Sequence, residues 1–187
     1  MKRPAIFFAA FAASALIVAS APVQAQMPQP YAGLQTRPIK ALSGEQIADL
    51  KEGRGMGLAL AAELNGYPGP VHVLELAEPL GLSMAQRTQM QGLLEAMKGE
   101  TIPLGEKLIV EESALDRQFA TKTVTEASLA ASTQAIGSVQ AALRAAHLKY
   151  HLGTIAALTP VQVARYAELR GYAAGAQAGP AHGMHRH

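Results

Sequence analysis

Two histidines, His147 and His151, stand four residues apart within a stretch of helical spacing. On an α-helix this spacing places both imidazoles on one face, where they can bind a single metal ion. Two ligands do not complete a metal site, so a third ligand is expected from His72, from Glu75 or from a partner subunit. We expect both imidazoles to lie at the edge of a packing groove, partly exposed to solvent. A pair of surface histidines that binds no metal is the alternative interpretation.

The last six residues, HGMHRH, contain three more histidines and a methionine. Imidazole and thioether groups are ligands for borderline and soft cations, and a flexible segment can wrap around such an ion. Weak capture of Zn, Ni, Co or Cu is therefore the hypothesis for the tail, residues 172–187, and a solubilising end is the alternative. The candidate ligands in the tail are His182, Met184, His185 and His187.

Other polar patterns give no case for catalysis. The glycine-rich stretch at residues 53–57 follows no strand and opens no helix, so it lacks the context of a phosphate-binding loop. We expect its glycines to allow close helix approach and to soften the first helix. Glu111 and Glu112 are adjacent, and neighbouring side chains on a helix point in different directions. The sequence therefore predicts a protein that is not an enzyme and that requires no cofactor.

The first 25 residues have the order of a secretory signal. Lys2 and Arg3 precede an apolar stretch at residues 5–18, and small residues then lead to Ala25. The apolar core is too short and too rich in alanine to span a bilayer comfortably. We therefore expect cleavage near Ala25 and secretion of the mature chain, with a retained membrane anchor as the alternative.

The charge of the chain is balanced once the signal is removed. The sequence contains 16 Lys and Arg and 14 Asp and Glu. Because Lys2 and Arg3 leave with the signal, 14 basic residues remain against 14 acidic ones, and nucleic acid is not an expected partner. The chain has no cysteine, so no disulfide framework can support it in an oxidising compartment.

Residues that favour helix caps and turns divide the rest of the chain into helices. No stretch shows the alternation of apolar and polar residues that is typical of a strand. Residues 26–41 mix Pro, Gly and Gln without a period and predict an extended leader. The domain proper is expected to cover residues 42–171. Its first helix begins at a capping box formed by Ser43 and Gln46 and is predicted to continue to Leu64. A turn and a short helix follow.

Two longer runs repeat apolar or small residues at alternating steps of three and four, as in helices of a coiled coil. The first run follows a capping box at Ser83 and Gln86 and keeps its register across Pro103, where we expect a kink. The second follows a capping box at Thr123 and Glu126. Together they predict an all-α fold with a long antiparallel helical hairpin and shorter flanking helices. The predicted seams are Met90, Leu94, Met97, Thr101, Leu104, Leu108, Glu111 and Leu115, and Leu129, Ser132, Ile136, Val139, Leu143, Ala146, Tyr150, Gly153 and Ala157.

The pentapeptide LTPVQ begins the last predicted helix, which ends at Gly171. Thr159 is its cap, and Pro160 takes the first helical position, where a missing N–H costs nothing. The sequence LSMAQ repeats the pattern before the first long helix, so two similar caps bracket the hairpin. The motif residues are Leu82, Ser83, Gln86, Leu158, Thr159 and Gln162.

Such a pair of caps around a long α-hairpin, in a secreted chain without cysteine, resembles the Spy/CpxP family of periplasmic proteins and its heavy-metal-resistance and metal-sensor branch. That family is named for its LTxxQ repeats. The resemblance covers residues 71–171, and the first motif departs from it with Ser in place of Thr and no Pro. The resemblance implies a cradle-shaped helical dimer. It implies one of three functions: stress-response holding of unfolded envelope proteins without ATP, metal sensing or resistance, or a role as helical adaptor of an envelope sensor kinase.

Client holding would use apolar residues that the thin hairpin leaves unburied. Flexible methionines and leucines suit loose contacts of low specificity. Packing within the core is the alternative role for each of these side chains. The candidate client-binding residues are Met90, Leu94, Met97, Leu104 and Leu108.

Overall fold

A computed structural model describes residues 29–172 of the 187-residue chain. Six α-helices and no strand occur in this range, which confirms the prediction of an all-α fold for the described residues. Residues 29–33 form a turn closed by a hydrogen bond from Ala32 N to Gln29 O. The six helices of the described range all belong to the compact unit that begins at Leu34. No helix in the described range is both long enough and apolar enough to cross a membrane.

Four of the six helices in the described range begin with a capping box, and another begins with Pro70 after the extended residue Gly69. The helix bounds are α1 (Gly44–Glu52), α2 (Leu60–Glu63), α3 (Pro70–Glu75), α4 (Met84–Ala120), α5 (Glu126–Ala156) and α6 (Pro160–Leu169). The boxes predicted at the starts of α1, α4 and α6 are confirmed. The box predicted at Thr123 is wrong, because Thr125 caps α5 together with Ser128. A serine at the third helical position can reach back as a glutamine does. The sequence therefore contains two overlapping patterns, Thr123 with Glu126 and Thr125 with Ser128, and the second forms the cap.

The leader is not extended along its whole length. Leu34–Thr36 forms a short 3-10 helix, and Ile39 is buried in the core. The backbone N–H of Lys40 donates to Asp116 Oδ1 on α4 at 3.1 Å. Burial of one apolar residue and this hydrogen bond hold the end of the segment on the helices.

The predicted length of the first helix is wrong, because α1 ends at Glu52 rather than at Leu64. Gly53 adopts a left-handed conformation with φ 66°, and Met56 and Gly57 also have positive φ. A right-handed α-helix cannot include such residues. A Cβ at Gly53 would lie 2.6 Å from Thr101 Oγ1 on α4, so this glycine permits the close approach that the sequence predicts.

Helices α4 and α5 pack against each other, and both contribute buried residues to the core. Gln118 on α4 donates to Ser132 on α5 near their connection, and farther along Lys149 and Tyr150 both donate to Glu100. Pro103 lies within the uninterrupted α4. The predicted seams are buried at nine of their 17 positions, whereas Leu129 is exposed. Buried apolar residues of the described range form two clusters. The first contains Ile39, Leu42, Leu50, Leu108, Ile136, Val139 and Leu143, and the second contains Val73, Ala77, Leu80, Leu82, Met90, Leu158 and Tyr166.

Candidate functional site

The described residues form a partly open cavity of about 590 Å³. Helix α4 contributes Leu94 and Met97 to its wall, and residues 53–69 contribute Met56 and Leu60. The wall is mostly apolar, although charged residues of both signs take part in it. The charged lining residues are Asp49, Glu52, Arg54, Glu63, Glu75, Lys98 and Arg170.

The cavity brings together residues that the sequence assigns to two different sites. Leu94 and Met97 belong to the candidate client-binding set, whereas His147 and His151 belong to the candidate metal set. The two residues considered as a third metal ligand, His72 and Glu75, line the same cavity. Nothing in the sequence indicates that the client-binding set and the metal set share one cavity, because this depends on the path of residues 53–69 across the long helices.

The two histidines are buried, and the prediction that they lie partly exposed at a groove edge is wrong. His147 is 2% exposed and His151 is 7% exposed. Residues 53–69 cover them, and backbone carbonyls of that segment approach both rings. His151 Nδ1 lies 2.6 Å from Tyr67 O, and His147 Nε2 lies 3.3 Å from Arg54 O. Since a carbonyl only accepts, each ring donates its N–H there.

The environment of His147 favours its neutral form. Its Nδ1 is buried and has no hydrogen-bond partner among the described residues. Burial, with a smaller contribution from the neighbouring His151, holds the pKa of His147 below its ordinary value. A proton added at Nδ1 would create a buried cation with an unpaired donor, which is costly.

A buried carboxylate, Glu63, connects α2 to the rest of the cavity. The Tyr166 hydroxyl and the Gly69 backbone N–H donate to it, the latter at 3.3 Å. Arg170 Nε and His151 Nδ1 lie 3.9 and 3.8 Å from its oxygens. Burial and the hydrogen bond to Glu63 raise the pKa of Tyr166, which therefore stays protonated. The sequence gives no signal for Glu63, because a lone glutamate in a helical stretch resembles a solvated residue.

The remaining candidate client-binding residues lie away from the cavity. Met90 is 0% exposed and belongs to the second apolar cluster, and Leu108 is buried in the first. Leu104 is partly buried and packs against the first cluster. These three residues have core contacts, and Leu94 and Met97 are the members of the set that line the cavity.

The candidate metal ligands do not assemble into a preformed site in the part of the chain that is described. No group of three or more His, Cys, Asp or Glu residues there could hold a metal ion. His72 Nδ1 lies 3.0 Å from Glu75 Oε2, so these two side chains pair with each other. The tail ligands His182, Met184, His185 and His187 lie outside the described residues.

The two Leu-Ser/Thr-x-x-Gln motifs have the local geometry that the sequence predicts. Leu82 and Leu158 are buried in the same apolar cluster. Ser83 and Thr159 accept hydrogen bonds from the backbone N–H three residues later, at 3.2 Å in both cases.

Comparison with models of protein families, with curated proteins and with solved structures finds no match to this chain.

Proposed function

We propose that this chain is a periplasmic, ATP-independent protein of the Spy/CpxP type that holds unfolded envelope proteins. The single observation that supports this best is the partly open and mostly apolar cavity of about 590 Å³. Ligand-binding cavities in proteins measure roughly 300–1,000 Å³, so this one is large enough for a short apolar stretch of an extended client. Leu94 and Met97 would contact such a stretch.

Exposed apolar side chains beside the cavity extend this surface. Met56 and Leu60 line the cavity and are exposed, Leu60 to 55%. Leu64 and Tyr67 follow on the same segment and are also exposed. Apolar surface of this kind marks interaction sites on soluble proteins. The mixed charges around the cavity would permit clients of either charge.

The architecture proposed for this function is a long antiparallel hairpin, α4 with α5, assembled into a cradle-like homodimer. Light scattering coupled to size exclusion on the mature chain tests the dimer. Secretion with cleavage near Ala25 is part of the same proposal, and the intact mass of the chain recovered from a periplasmic fraction tests it. An intact mass that retains residues 1–25 would contradict it.

The test of client holding uses the mature chain, residues 26–187, with reduced α-lactalbumin as an unfolded client. We expect near-stoichiometric protein to suppress aggregation of the client, measured by light scattering, without nucleotide. Leu60→Glu places a charge at the cavity and is expected to weaken suppression. Val161→Glu is the matched control, because Val161 is 78% exposed on α6 and does not line the cavity. Absence of suppression by the parent chain would remove the proposal, and equal losses in both variants would place the client elsewhere.

Metal binding is the second candidate function, and the shared location of His72, Glu75, His147 and His151 on one cavity favours it. Binding at His147 and His151 would require rearrangement of rings that now donate to backbone carbonyls. The candidate ligands of the tail, His182, Met184, His185 and His187, offer a second location for the metal. Titration of Zn²⁺, Ni²⁺, Co²⁺ and Cu²⁺ against the mature chain, a form ending at Tyr172 and a His147→Gln/His151→Gln variant separates the two locations. Absence of binding in all three would end this candidate.

A further inference from the structure

We propose that residues 53–69 form a lid over the cavity, that His147, His151 and Glu63 latch this lid, and that lid opening admits the client. The inference rests on the proposed function, since it describes how access to the same cavity is controlled. The lid is defined as residues 53–69 and joins α1 to α3.

The lid contributes a large part of the cavity wall. Its residues Met56, Leu60 and Glu63 line the cavity together with Leu94 and Met97 of α4. Displacement of the lid would therefore widen the opening and expose the side chains on α4 that are suited to an apolar client.

Apolar burial holds the middle of the lid only weakly, although Pro68 near its second end is fully buried. All four residues of α2 are described, and Glu63 alone among them is buried. Leu60 and Leu64, the large apolar residues at this turn, face solvent for more than half of their surface. Leu58 is partly buried against the first apolar cluster. Segments with few buried apolar contacts are the ones that open locally without unfolding of the whole protein.

Hydrogen bonds attach the lid to the neighbouring helices. His147 on α5 donates to Arg54 O near the start of the lid, and His151 donates to Tyr67 O near its end. Between them, Glu63 accepts from Tyr166 on α6. The lid is thus attached at both ends and in the middle by hydrogen bonds to two helices of the fixed core.

Glycines provide the positions at which the lid can turn. Gly53, with φ of 66°, is the first residue of the lid, and Gly69, just before α3, is its last. Gly57 and Gly66 lie within the lid and have φ of 76° and 83°. Residues without a Cβ change backbone conformation at low cost, as hinge movements require. The sequence places such glycines on both sides of α2.

The experiment uses the fact that the chain has no cysteine. A single Met97→Cys substitution places a thiol on the cavity wall, and its labelling rate with iodoacetamide under native conditions reports lid opening. Adding His151→Leu removes the latch at Tyr67 and is expected to raise this rate about three- to tenfold, the range for loss of one hydrogen bond. Glu63→Gln, which keeps the size of the side chain, is a second latch variant and is expected to raise the rate less.

Leu108→Cys is the matched control, because Leu108 is as buried as Met97 but lies in the first apolar cluster. Its labelling should not change in the His151→Leu background. An equal rise at both thiols would show general destabilisation and would overturn the lid, and so would no rise at Met97→Cys. In the cysteine-free background, His151→Leu should protect α-lactalbumin at a lower concentration than the parent chain does. Faster labelling with unchanged protection would overturn the gating role, whereas a parent chain that protects no client would remove the proposed function and leave the labelling result intact.

Discussion

Gln86 and Gln162, which close the capping boxes of α4 and α6, exchange side-chain hydrogen bonds across 76 residues of sequence. Gln86 Nε2 lies 2.8 Å from Gln162 Oε1, and Gln162 Nε2 lies 3.1 Å from Gln86 Oε1. Gln86 Nε2 also donates to Ala157 O at 3.0 Å, and Gln162 Nε2 to Leu80 O at 3.4 Å. Each glutamine therefore caps its own helix and ties the start of α4 to the turn between α5 and α6. This contact gives a physical reason for two copies of one motif.

Replacement of Gln86 or Gln162 by Ala is expected to lower the free energy of unfolding by about 1–3 kcal/mol. Each change removes a capping hydrogen bond and leaves a partly buried amide without its partner. Urea denaturation followed by circular dichroism measures the effect. Gln46→Ala is the matched control, since Gln46 closes the box of α1 with Ser43 and should cost about 1 kcal/mol or less. The double variant should cost less than the sum of its single changes, and strict additivity would mean that the two glutamines act as separate caps.

The capping residues show how far local sequence carries a prediction. A capping box involves residues within four positions, so Ser43, Ser83 and Thr159 can be found from residue types alone. Thr123 and Thr125 offer overlapping choices, and only the backbone path decides between them. The bond between Gln86 and Gln162 joins distant segments, and no local pattern contains it.

The buried histidines show the corresponding limit for the site. The spacing of His147 and His151 correctly places both on α5, but their exposure depends on what lies over that helix. The covering segment takes its path because Gly53 leaves the helical conformation. A helix through Leu64, as the sequence predicts, would have given the segment a different course.

The crossing of α1 and α4 gives a second stability prediction. A Cβ at Gly105 would overlap the Leu50 carbonyl oxygen, which belongs to the backbone of α1. Gly105→Ala is therefore expected to lower the free energy of unfolding by about 1–3 kcal/mol through overpacking. Gly99→Ala lies on the same helix with open space around the new methyl group, and should stabilise by about 0.5–1 kcal/mol. Thermal unfolding of both variants checks the pair, and a stabilised Gly105→Ala would contradict the close crossing.

Acid should destabilise the protein through His147. The unfolded chain binds a proton at this residue near the ordinary pKa of 6.5, whereas the folded chain resists that proton because the ring is buried. The unfolded state therefore binds more protons as the pH falls below 6.5, and the free energy of unfolding decreases until the lower folded pKa is passed. One proton contributes a slope of at most about 1.4 kcal/mol per pH unit.

His147→Gln tests this assignment, because a glutamine cannot titrate but retains an N–H that can donate to Arg54 O. Urea denaturation across a pH series from about 8 to about 5 should give a flatter profile for the variant than for the parent chain, since one titrating group has been removed. Parallel profiles would show that another group produces the acid sensitivity.

Tyr166 and Tyr150 both donate a hydroxyl hydrogen to a glutamate, but in different surroundings. Tyr166→Phe leaves the buried Glu63 without that donor and is expected to lower the free energy of unfolding by about 1.5–3 kcal/mol, the range for a hydrogen bond to a charged group. Tyr150→Phe removes the same atom beside the exposed Glu100, which keeps its contact with Lys149 at 2.6 Å. Solvent can replace the lost hydroxyl there, so the expected cost is about 0.5 kcal/mol. Equal costs in urea denaturation would show that burial of Glu63 does not set the strength of its contact with α6.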